Sequence, residues 1–155
     1  MMRLLQYAFL ACALLCSSCK KDKDSVPTIE PAVGIEIADF AGEWRLSAWS
    51  GGTDLDKEIY LRLNADQTFT LYQNIVSHGF ECFDGTFTFD SQSALIRGTY
   101  ANGTPWGGEY IIGALTENSM QWQMAGTSDI ATYTRSVIPS LPLQPASRSG
   151  SVPFL

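Results

Sequence analysis

The chain has no Gly-x-Ser-x-Gly nucleophile elbow, no glycine-rich phosphate loop and no dinucleotide-binding fingerprint, so it offers no motif for acyl transfer, nucleotide hydrolysis or hydride chemistry. Basic residues are scarce. Ten Lys and Arg stand against 16 Asp and Glu, a net charge of -6, with a single histidine. This balance argues against nucleic acid and against docking on an anionic membrane face, both of which need clustered Lys and Arg. The chain also lacks an apolar run of the ~20 residues a bilayer core requires, because the run beginning at Leu4 stops at Leu15. Helical periodicity is absent from Gly42 onward. These absences lead us to expect no enzyme, no cofactor and no metal.

What is present begins at the N-terminus. Arg3 supplies a positive start, Leu4 to Leu15 an apolar stretch, and Ser17-Ser18 small residues before Cys19 and the charged Lys20-Lys21-Asp22. The segment resembles a bacterial lipoprotein signal. That resemblance implies cleavage after residue 18, acyl chains on Cys19 and anchoring in the cell envelope. Cys19 fits better than Cys16, which follows the bulky Leu14 and Leu15. More than one acyl chain gives effectively stable attachment, at ~0.8 kcal/mol per buried methylene. The mixed Lys and Asp run to Asp24 resembles signals that send such proteins to the outer face of the outer membrane, while a plain solvated tether on a periplasm-facing protein reads the same. Residues 19–38, with Pro27, Pro31 and Gly34, read as lipidated N-terminus and flexible or extended spacer.

Loss of residues 1–18 removes Arg3 and no acid, changing the charge from -6 to about -7. Cys12 and Cys16 leave with the signal and Cys19 is acylated, so Cys82 stands alone and is expected to be a small buried hydrophobe rather than a disulfide partner. About 100 residues remain for one domain, and they are rich enough in aromatics to build a core.

From Gly42 the sequence repeats a short run of β-branched and aromatic residues closed by a turn cluster. Strands are expected at 42–50, 59–63, 68–74, 81–89, 94–100, 106–113, 119–125 and 130–137. Asn64 to Gln67 forms the clearest hairpin turn. Short connections put sequence neighbours side by side, and a twisted up-and-down sheet of about eight strands tends to close. The expected fold class is therefore an all-β antiparallel meander forming a barrel over residues 39–137. A two-sheet sandwich is the alternative. Ile138-Pro139-Ser140-Leu141-Pro142-Leu143-Gln144-Pro145 ends the pattern, because proline cannot donate to a ladder. Residues 138–155 read as an extended tail from which Leu141, Leu143 and Phe154 could dock on the barrel.

Gly42-Glu43-Trp44 at the first strand and Arg135 on the last resemble the lipocalin, or calycin, pattern. The resemblance implies an indole across the closed end of an eight-stranded barrel with the arginine packed over it, giving Gly42, Trp44 and Arg135 structural roles. A guanidinium over an indole gains ~0.5–2 kcal/mol while its donors still reach nearby carbonyls. It also implies a ligand at the open mouth, although eight-stranded barrels are either filled or hold one small molecule.

Other chemistry is thinly represented. His78 and Cys82 on one strand lie ~13 Å apart at ~3.3 Å per residue, too far to share a metal with Glu81 or to form a thiol and base unless Gly79 bends the chain. Asp54, Asp56 and Glu58 alternate like calcium ligands but lack the glycine turn and the spaced terminal Glu. Asp84 and Glu109 are conceivable glycosidase carboxylates, more simply solvent-facing.

The leading expectation is an anchored binding module whose ligand wall is Phe83, Trp106, Tyr110 and Trp122, taking a small apolar or amphipathic molecule. The alternative is a filled barrel contacting, or inhibiting, another envelope or surface protein, for which outward-facing Trp49 and Tyr60 would form a patch.

Overall fold

The computed structural model describes residues 28–50, 52–75, 79–143 and 152–155. Cys19, the signal segment and His78 lie outside them. A four-residue helix α1 (Ile37–Phe40) precedes eight strands: β1 (Gly42–Trp49), β2 (Glu58–Leu63), β3 (Thr68–Asn74), β4 (Glu81–Asp90), β5 (Leu95–Tyr100), β6 (Tyr110–Gly113), β7 (Ser119–Met124) and β8 (Ile130–Arg135). Each strand pairs antiparallel with the next, and β1 pairs with β8, closing the barrel.

Period-two patterning explains the wall. In β3, Phe69, Leu71 and Gln73 are buried while Thr68, Thr70, Tyr72 and Asn74 are partly exposed. Across it, Leu61 meets Leu71 and Leu63 meets Phe69, so neighbouring strands send their apolar sets to the same interior. The β2–β3 turn is fixed locally: Gln67 adopts a φ of 65°, and the Asp66 carboxylate accepts from the Thr68 N–H at 3.1 Å and its hydroxyl at 2.6 Å.

At one end the barrel is shut. Phe40, fully buried, packs edge-on to Phe89 at 4.8 Å and near Phe87 at 6.2 Å. The Trp44 indole N–H donates to the Phe40 carbonyl at 2.9 Å, tying α1 to the first strand. The Arg135 guanidinium lies 4.2 Å from the Trp44 ring centroid and donates to the carbonyls of Ala41 at 2.8 Å, Glu117 at 2.9 Å and Asp39 at 3.2 Å.

Four features differ from the pattern read in sequence. Residues 28–38 are not all spacer. Ile29 donates to the Gln123 side chain, Ala32 to the Ile112 carbonyl, and Pro31 bridges Gly113, so this segment runs along β6 and β7 before α1. Trp106 to Glu109 belong to no strand, since β6 starts at Tyr110. Trp106 instead sits in the β5–β6 loop, its main-chain N–H donating to the Gly98 carbonyl at 2.9 Å. Trp49 does not face outward. The register changes from Leu46 opposite Tyr133 to Ala48 opposite Thr132, leaving Ser47 as an extra residue. This bulge reverses the parity and puts Trp49 level with the inward Ala131. Tyr60 does face away from Leu61, but the ring of Phe80, 6.0 Å away, covers it and leaves it buried. No exposed Trp49–Tyr60 patch exists.

Candidate ligand site

The β1–β2, β3–β4, β5–β6 and β7–β8 connections surround the end of the barrel opposite α1. Below them lies a continuous aromatic stack. Trp106 meets Phe69 at 5.0 Å, Trp122 at 5.9 Å and Tyr110 at 6.1 Å; Trp122 continues to Tyr133 at 5.4 Å. Phe83, half-buried, joins through Tyr100 at 6.0 Å. The four wall residues read from sequence thus fall in one cluster, with Trp106, Tyr110 and Trp122 each buried. Phe69, Tyr100 and Tyr133 belong to the same cluster; their inward parity on β3, β5 and β8 was the signal available for them. Gly98 makes room for it, because a β-carbon there would collide with the Trp106 indole.

The cluster carries polar atoms. The Tyr133 hydroxyl and the Trp106 indole N–H are buried without a hydrogen-bond partner among the described residues. Burial raises the phenols of Tyr100, Tyr110 and Tyr133; Tyr110 is pushed up to about 12. The charge on one phenolate would also oppose the next, so these hydroxyls stay neutral at physiological pH.

The mouth itself is occupied by the chain. Leu155 is 3% exposed and belongs to the core, and its main-chain oxygen accepts from the Tyr100 hydroxyl at 2.7 Å. Phe154 packs edge-on to Trp49 at 4.9 Å, with the Lys57 ammonium 5.5 Å from the Trp49 ring and 5.7 Å from the Phe154 ring. The Gln73 side chain, fully buried, accepts from the Phe154 N–H at 2.8 Å and donates to the Val152 carbonyl at 3.2 Å. The tail therefore docks by Phe154 and Leu155. Leu143 bridges Phe80 but remains half exposed.

The remaining candidates are dispersed. Cys82 is exposed rather than buried, because it occupies an outward position of β4; partial desolvation, then Asp84, raises its thiol pKa and disfavours the thiolate. Asp84 and Glu109 lie on the solvent side, and Glu109 pairs with Arg97 at 3.2 Å. Asp54, Asp56 and Glu58 are exposed, and no cluster of three metal-ligating side chains occurs among the described residues. An open groove of about 520 Å³ on the outer wall is bordered by Thr68, Thr70, Asp84, Thr86 and Thr99, without converging charges.

The family model for a lipocalin-like domain matches residues 40–122, from the buried Phe40 to Trp122 at the centre of the stack. The chain belongs to the lipocalin-like family. One solved structure agrees with its fold. An NMR structure of a protein from Bacteroides uniformis ATCC 8492 shares 26% identity at a TM-score of 0.50, over 65% of this chain and 92% of that one. A crystal structure of a lipocalin-like protein from the same organism shares 17% identity at a TM-score of 0.49, over 63% of this chain and 99% of that one. No curated protein matches. This lipocalin-like domain thus has one end closed by Trp44 and Arg135 and an opposite end built on aromatics, where Phe154 and Leu155 are seated.

Proposed function

We propose that the protein is a cell-envelope lipoprotein, held in the outer membrane by acyl chains on Cys19, whose lipocalin-like domain takes a small apolar or amphipathic molecule at the open end of the barrel. The family is a binding-protein fold, and the observation that carries the reading is the mouth: it buries an apolar side chain, Leu155, while Tyr100 donates to a polar atom beside it. An amphipathic molecule presents the same combination. The Tyr133 hydroxyl and Trp106 N–H supply donors deeper in the barrel for its polar group. Apolar burial at ~25 cal/mol per Å² supplies the affinity, and the few placed polar groups set orientation.

A fluorescent fatty-acid analogue is expected to bind saturably, and Tyr133→Phe to weaken it several-fold while leaving the fold intact. No saturable binding of fatty acids, sterols or haem by a protein with native circular dichroism would overturn the receptacle. The anchor is tested separately. Cys19→Ala should leave the protein unprocessed or release it from membrane fractions, and an intact mass showing unmodified Cys19 would exclude acylation.

A further inference from the structure

Residues 152–155 are held as a ligand is held. Gln73 contacts main chain on both sides of Pro153, accepting from the Phe154 N–H and donating to the Val152 carbonyl. Such contacts recognise extended peptide irrespective of side chain. Selectivity comes from two apolar seats: Leu155 inside the mouth beside Tyr100, and Phe154 against Trp49 under the Lys57 ammonium. Gln73 is also the polar exception on an otherwise apolar inward face of β3, where Phe69 and Leu71 precede it. A buried amide in that position is costly unless bonded; Gln73 also donates to the Glu81 carboxylate at 3.3 Å, and the main chain of 152–155 adds a bond to each end of the amide.

We infer that the mouth is a recognition site for an extended apolar peptide with an aromatic–aliphatic pair, filled in cis by residues 152–155, so that any other occupant must displace them. This rests on the same receptive end as the receptacle reading but names a different class of ligand. Tethering explains why a short segment suffices. Covalent attachment gives an effective concentration of the order of millimolar, so a segment binding in trans with a Kd of about 100 μM would occupy its own mouth about nine-tenths of the time.

The test uses acetyl-Val-Pro-Phe-Leu as the probe, read by calorimetry and by the fluorescence of Trp49. The chain lacking residues 152–155 is expected to bind it saturably, and the intact chain at least ten-fold more weakly. Leu155→Asp in the full chain, which makes burial of the last side chain costly, should gain binding as the deletion does. Gln73→Leu in the deleted chain should lose it. Equal binding by the intact and deleted chains overturns the inference, as does no binding by folded deleted and Leu155→Asp chains. Loss of fold in both also overturns it, since the tail is then core rather than occupant. Peptide binding without binding of the fatty-acid analogue refutes the small-molecule reading alone, and the converse result refutes this one alone.

Discussion

At Gly42 a β-carbon would collide with the guanidinium of Arg135, and the backbone φ of +135° lies where L side chains are rarely found. The glycine is therefore required twice, for conformation and for the arginine that crosses it. Gly42→Ala is expected to cost more than ~1 kcal/mol, the level at which alanine in a positive-φ site exceeds its entropic benefit. Trp44 is fully buried, donates to Phe40 and carries Arg135 on its face. Trp44→Ala should cost about 3–5 kcal/mol in urea unfolding, the usual range for emptying a large aromatic site. A loss below ~1 kcal/mol would show that the closed end is held without the indole. Gly42 and Trp44 were legible through the Gly-x-Trp resemblance to the lipocalin pattern, whereas the bonds of Glu43 to Arg62 and Ile138 were not, since they join residues far apart in sequence. The unpartnered Tyr133 hydroxyl was not legible, since inward parity tells where a tyrosine points and not whether a partner meets it.

Among the elements, the bounds of β3 were readable because Thr68 to Leu71 alternates and is entered by a well-formed turn, whereas the inward place of the polar Gln73 was not. The bulge in β1 was hidden for the opposite reason: Ser47 adds a residue without altering the composition, so alternation carried through it assigns Trp49 to the wrong face. The Ser47 hydroxyl bonds the Thr132 carbonyl at 3.0 Å across that irregularity, a contact that only the fold creates. The strand expected from Trp106 starts only at Tyr110, as Pro105, Gly107 and Gly108 around the indole allow, and the place of Trp106 depends on Gly98 across the β5–β6 loop.

The exit from β8 is pinned in a similar long-range manner. The Glu43 carboxylate accepts from the Ile138 N–H at 2.8 Å and pairs with Arg62 at 2.7 Å. The Ile138 N–H, followed by Arg62, holds that carboxyl below the ordinary carboxylate range despite an opposing desolvation. Its contribution is present above the unfolded pKa and is lost as pH falls through the folded one. Glu43→Gln should therefore destabilise the protein by about 1 kcal/mol near neutrality and by less near pH 3, the partial exposure of the pair limiting the effect. Urea midpoints that differ equally at both pH values would assign the loss to packing rather than charge.

For the whole molecule, the interior phenols make alkaline pH the weak side of the fold. Tyr100, Tyr110 and Tyr133 each have a folded pKa raised first by burial. In the unfolded chain they ionise near pH 10. Above that value the unfolded state binds fewer protons than the folded one, so stability falls as pH rises. The decline approaches about 1.4 kcal/mol per pH unit for each phenol, or about 4 for the three, until the folded values are reached. Tyr100 couples the tail to this titration, because its hydroxyl is the donor to Leu155, and release of residues 152–155 relieves part of the burial that keeps it protonated, so rising pH favours release. Residues 152–155 are expected to leave the mouth before the barrel opens. Phenolate absorbance and urea midpoints measured from about pH 8 to pH 11.5 should show steepening loss of stability above pH 10. Trp49 fluorescence should change ahead of global unfolding. Tyr133→Phe should flatten the slope by about a third and leave the earlier tail transition in place. If the three phenols titrate near pH 10 in the folded protein, the open end admits water to the stack and the interior is wetter than its aromatic packing implies.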